Sequence, residues 1–160
     1  MGVKRTSPES LQIELERFLP YRLNVAAESV SRALSQLYSR RHGISIAEWR
    51  VIATLGQFHR MAAKDIGRHS RMHKTKVSRA VARLEKRSCI TRQSNSKDLR
   101  EAFLELTPEG KKIYYDLVPR VLAFEAGLSE GFSADELKIL EQLLGKLEAT
   151  ARNGNGDEMT

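Results

Sequence analysis

Apolar residues recur at three- and four-residue spacing over most of this 160-residue chain, and helix start and stop signals stand between the periodic stretches. Leu23, Ala27, Val30, Leu34 and Leu37 trace one face of a long helix that starts near Pro20 and stops near Gly43, after a shorter turn of helix around Leu11 to Leu19. Ser45 and Glu48 have the spacing of a capping box, and Ile44 and Trp49 that of a hydrophobic staple. A second helix is therefore predicted from about Ile46 to Phe58. The same devices return as Ser133 with Glu136 and Phe132 with Leu137, just after Gly131. They open a last helix that carries Leu137, Leu140, Leu144 and Leu147 on one stripe. Thr107 before Pro108 reads as an N-cap followed by proline at the first helical position. That helix reaches to about Leu128, with Pro119 inside it as an expected bend.

The middle of the chain has another pattern. A short helix around Ala63 to His69 gives way to a three- or four-residue break and then to Lys74 through Arg87, where Val77, Val81 and Leu84 form a narrow apolar stripe and the other residues are small or basic. Two short stretches of strand character follow, Ile90 to Gln93 and Ala102 to Leu106. The second places Ala102, Leu104 and Leu106 inward against Phe103 and Glu105. The polar cluster Ser94 to Asp98 turns between them. Helix, turn, helix, then a β-hairpin with a basic tip is the plan of a winged helix-turn-helix, so the expected fold class is mostly α with a small β-hairpin.

Charge sharpens this picture. The chain carries 27 Lys and Arg against 20 Asp and Glu, a net charge of +7. Between Arg60 and Arg100 stand 13 basic and 3 acidic residues, whereas the rest of the chain holds 14 basic and 17 acidic ones. All the positive excess therefore lies in the segment with the helix-turn-helix pattern, as a polyanion-binding face requires. At 160 residues with 41% hydrophobic content, a single regulator domain (1–160) with a sizeable core is expected. The polar N-terminus and the lack of a long apolar run give the expectation of a soluble, cytoplasmic protein without a membrane partner. A single cysteine, Cys89, excludes an intrachain disulfide.

A recognition helix must hold an apolar stripe against its neighbour while its first turns enter the major groove. Val77, Val81 and Leu84 meet the first demand. Candidate DNA-binding residues on this segment are His73, Lys74, Thr75, Lys76, Ser78, Arg79 and Arg83, since short hydroxyls allow close approach and arginine can fork onto guanine. At the hairpin tip, Lys97, Asp98 and Arg100 join them: two residues apart on a strand, Asp98 can orient Arg100 for the narrow minor groove. No phosphate loop, nucleophile motif or functional carboxylate pair is found, so neither catalysis nor a cofactor is expected. His69 and His73 are four apart but straddle the helix break, which argues against a shared metal site.

These motifs, in order, bear a family resemblance. Ser45 to Ile52, Lys74 to Arg79 with Leu84-Glu85, Asp98-Leu99-Arg100 and Leu106 to Gly110 together resemble the multiple-antibiotic-resistance regulator (MarR) family over roughly Pro20 to Leu147. The resemblance implies a homodimer of winged-helix subunits that binds double-stranded DNA. Residues 45–107 would form the DNA-binding part, and 11–43 with 108–151 the helical dimerisation part. It also implies base-reading or phosphate contacts at Thr75, Lys76, Ser78 and Arg79, with Arg100 oriented by Asp98 in the wing. A small aromatic or phenolic effector is implied too, held near Trp49 with Arg22, Tyr38 or Arg50, although packing against Ile44 is the simpler role for Trp49. One departure stands out. Where members typically show Gly-Leu before the wing, this chain has Ser88-Cys89, a stiffer turn followed by a cysteine that reads as a small buried hydrophobe rather than a redox sensor.

The expected function is a ligand-responsive repressor that binds a pseudo-palindromic operator as a homodimer. The alternative is a sequence-indifferent architectural protein using the same basic surface. An RNA-binding role lacks the aromatic platform that single strands need.

Overall fold

The computed structural model describes residues 12–94 and 102–154. In chain order the elements are α1 (Leu19–His42), α2 (Ile46–Phe58), β1 (Arg60–Ala62), α3 (Ala63–Ser70), α4 (Lys74–Lys86), β2 (Ile90–Ser94), β3 (Ala102–Leu106), α5 (Pro108–Ser129) and α6 (Ala134–Gly154). They fall into two compact units, one ending at Leu117 and one starting at Val118. The division lies inside α5, not at its start, because Gly110, Ile113 and Leu117 are buried with the winged module.

Local signals explain most helix ends. Proline in its first turn starts α1, and Gly43 closes it in the left-handed region, φ 61°, where glycine meets no steric penalty. In α2 the expected capping box is formed: Ser45 N–H donates to the Glu48 carboxylate at 2.7 Å, and Glu48 N–H donates to Ser45 Oγ at 3.3 Å. The equivalent bonds between Ser133 and Glu136 open α6. Thr107 Oγ1 accepts from Gly110 N–H at 3.1 Å at the start of α5.

The core of the first unit gathers residues from every element around α2 and α4. Val51, Ile52, Leu55, Ile66, Val81, Leu84 and Leu104 are all buried, and so are the staple residues Ile44 and Trp49. The sheet has three strands in the order β1-β3-β2, both pairings antiparallel, with Met61 and Arg92 each opposite Leu104. The hairpin β2-β3 follows the alternation expected from sequence. β1 was not expected, since three residues, Arg-Met-Ala, are too short to show a period; their pairing with Arg60 opposite Glu105 is what makes them a strand.

Two turns are closed by left-handed residues other than glycine. At the end of α3, Arg71 (φ 53°) lets Met72 N–H reach Gly67 O at 3.0 Å. At the end of α4, Ser88 (φ 55°) lets Cys89 N–H reach Leu84 O at 2.9 Å. Both are Schellman closures. The second sets the direction of β2, and α5 locks onto it: Thr107 Oγ1 donates to Ser88 O at 2.6 Å, and a Cβ on Gly110 would lie 1.9 Å from the Cys89 carbonyl oxygen. Only glycine allows that approach.

In the second unit, α6 carries its apolar stripe with Ile139, Leu140, Leu143 and Leu144 exposed. None of the helices among the described residues is long and apolar enough to cross a membrane.

Candidate nucleic-acid interface

Helix α4 divides its residues by angle. Val77, Ala80, Val81 and Leu84 are buried against α2 and α3, which fixes the helix about its axis. The opposite arc is exposed and carries Thr75, Arg79, Ala82 and Lys86. Lys76 and Arg83 lie on one flank of this arc, Lys74 and Ser78 on the other. His73 has a different role at the helix start. Its Nδ1 accepts from Thr75 N–H at 3.3 Å, so it caps the helix.

The positive segment does not act as one uniform patch. Arg60 pairs with Glu105 at 3.4 Å and lies over the Phe103 ring at 4.6 Å. Arg68 pairs with Asp65 at 3.6 Å. The guanidinium of Arg87 donates to His42 O at 2.6 Å and to Gly43 O at 3.3 Å, tying the end of α4 to the end of α1. Arg92 forks onto both carboxylate oxygens of Glu85, the second bond at 3.2 Å, and this holds its guanidinium above the ordinary arginine range. Within the described part of this segment, Arg71, Lys74, Lys76, Arg79, Arg83 and Lys86 are exposed and make no ion pair. They sit on α4 or in the turn before it. Within this segment the unpaired charge is thus gathered on the recognition helix and its turn, which is the placement that groove binding needs.

Arg71 and Lys86 were not among the residues singled out from sequence. Lys86 becomes a candidate once the helix's rotation is known, and Arg71 once the left-handed turn projects it beside α4. Lys97, Asp98 and Arg100 lie outside the described residues.

The four candidate effector residues separate. Tyr38 and Trp49 are buried and stacked on each other, ring centroids 5.6 Å apart at 20°. Burial raises the Tyr38 phenol above its ordinary pKa, with Arg50 opposing it. A groove of about 800 Å3 opens between α1 and the start of α2, and Arg50 lines it together with Asn24, Ser35, Ser39, Met72 and Lys76. Arg22 is exposed on α1, and neither it, Tyr38 nor Trp49 lines that groove. A second groove of about 500 Å3 borders the other flank of α4, between Lys64, Gly67, Val77, Ser78 and Arg92. His69 places its ring edge-on to Phe58 at 4.7 Å. Cys89 is buried, and burial raises its thiol pKa.

Residues 44–102, which span the capping box of α2 through the wing, match the profile described as the MarR family. Over that segment the chain is similar to the MarR family. The chain is 28% identical to a MarR/EmrR-family transcriptional regulator from Acinetobacter sp. ADP1, whose crystal structure matches at a TM-score of 0.81 over 88% of this chain and 99% of that one. It is 26% identical to the transcriptional regulator FarR of Neisseria gonorrhoeae over 104 residues, which cover 65% of this chain and 71% of FarR. The fold is shared with NadR, solved in complex with 4-hydroxyphenylacetate, at 23% identity and a TM-score of 0.71 over 86% of this chain and 96% of that one. The matched segment and the shared fold are those of DNA-binding transcriptional regulators with a winged helix.

Proposed function

We propose that this chain is a MarR-type regulator that binds a pseudo-palindromic operator as a homodimer and represses from it until a small aromatic anion releases it. The observation that carries the DNA half is the exposed arc of α4, where Thr75, Lys76, Arg79 and Arg83 stand free of ion pairs above a buried stripe. His73, Lys74 and Ser78 flank it, and Lys97, Asp98 and Arg100, outside the described residues, are the further candidates from sequence. One module covers few base pairs, whereas two half-sites one helical turn apart, about 34–36 Å, give usable specificity. Apolar side chains exposed on α1 (Leu19, Leu23, Val30) and on α6 (Ile139, Leu140, Leu143, Leu144) support the dimer, since isolated domains rarely leave such stripes uncovered.

The groove beside Arg50 supports the effector half. It joins an apolar floor, Ala27, Ile44 and Met72, to two unpaired cations, Arg50 and Lys76, which suits a ring bearing a carboxylate. The buried Tyr38–Trp49 stack lies behind Arg50 as a support and as a fluorescent reporter. Genomic fragments selected by the protein should bind about 1,000-fold or more tighter than random DNA at physiological salt. A ratio near one would favour the architectural role. Adding 4-hydroxyphenylacetate or related phenolic acids should quench Trp49 and release the operator together, and Arg50→Met should abolish both effects. Quenching without release would refute the effector site.

A further inference from the structure

We propose that the Glu85–Arg92 pair is a specificity clamp: it holds the β2-β3 hairpin at a fixed angle to α4, so that the two DNA-reading elements address the duplex in one register. By sequence, Arg92 counts with the basic residues of the DNA-binding segment. In the structure its guanidinium is turned away from that use, with Nε and Nη2 each on one carboxylate oxygen of Glu85. Glu85 stands on the flank of α4 nearest the hairpin, and Arg92 stands on β2 opposite Leu104, which anchors that strand in the core. A forked arginine–carboxylate contact fixes direction as well as distance. The closure at Ser88 sets the direction of β2 where it leaves α4, and the Glu85–Arg92 pair adds a second tie four residues farther along the strand. The two side chains remain 31% and 53% exposed, so the pair adds little to folding stability, and its contribution is orientation.

Glu85 and Arg92 are therefore positioning residues, and the inference rests on the DNA-binding reading above. The test compares binding to the selected operator with binding to random DNA, alongside the thermal midpoint of each variant. Arg92→Lys keeps the charge but loses the fork. Glu85→Gln removes a negative charge near DNA and loses the clamp. Both should lower the operator-to-random ratio by about tenfold with little change in thermal midpoint. The exchanged pair Glu85→Arg with Arg92→Glu should recover most of the ratio. If Arg92→Lys is silent and Glu85→Gln tightens both DNAs alike, Arg92 is one more positive charge and the clamp is overturned. A lowered midpoint with an unchanged ratio would make the pair a stability contact and overturn it as well. A wild-type ratio near one would instead overturn the DNA-binding reading, and the clamp with it.

Discussion

Lys76 and Arg87 carry the same charge eleven residues apart in one basic segment, yet the structure gives them opposite expectations on DNA. Lys76 is exposed on the flank of α4 without an ion pair, while Arg87 is bonded to the carbonyls that end α1. Lys76→Gln should remove one phosphate contact from each subunit. The release of counterions ties each such contact to a slope of about 0.9 in log affinity against log salt, so the dimer's slope should fall by about 2. Between 50 and 200 mM salt, that difference amounts to about tenfold: the variant's deficit, large at low salt, should shrink by this factor at high salt. Arg87→Gln should leave the slope unchanged within about half a unit. It should instead cost about 1 kcal/mol of stability, since charge-assisted hydrogen bonds to C-terminal helix carbonyls are lost from a partly exposed site. Fluorescence anisotropy on operator DNA across a salt series, with urea unfolding of the same samples, reads both quantities. Equal changes in slope for the two variants would show that total charge governs binding, and the division of the basic segment into free and engaged cations would be wrong.

Four further outcomes follow from particular contacts. Ser88→Gly should stabilise the fold by about 0.5–1 kcal/mol by relieving a left-handed serine, measured by urea unfolding. Gly110→Ala should destabilise it by about 3 kcal/mol or more, because the new methyl would meet the Cys89 carbonyl and both backbones are held by hydrogen bonds. Cys89 should react with a thiol reagent at pH 8 only as fast as the protein opens. Because its folded pKa is raised, the thiolate forms more readily in the unfolded chain, so stability should fall as pH rises through the ordinary thiol range, and Cys89→Ala should remove that component. Truncation after Gly131 should give a monomer by light scattering that no longer binds operator specifically; a truncated chain that still dimerises would refute the assignment of α6 to the interface.

Much of the architecture was legible in the sequence because it is dictated locally. The Ser45–Glu48 and Ser133–Glu136 boxes, Pro108 after Thr107 and Gly43 are local signals, and the elements they bound lie within a residue or two of where the pattern places them. The stripe Val77, Val81, Leu84 is likewise a matter of helical period, and it alone tells which side of α4 is inward. Strand β1 was not legible, since three residues become a strand only through the partner they meet.

The site divides in the same way. Sequence determined that a basic helix with a narrow apolar stripe is followed by a hairpin, because composition and period are properties of the chain itself. Only the tertiary structure decided which cations are available to DNA. Arg60, Arg87 and Arg92 look identical in sequence to Arg79 and Arg83, but a guanidinium's partner is chosen by whatever carboxylate, carbonyl or ring the fold brings within reach. The same holds for Trp49: its spacing from Ile44 announced a staple, but the stack on Tyr38 that encloses it depends on α1 crossing behind α2. Distances between residues far apart in the chain are set by packing, and no local period encodes them.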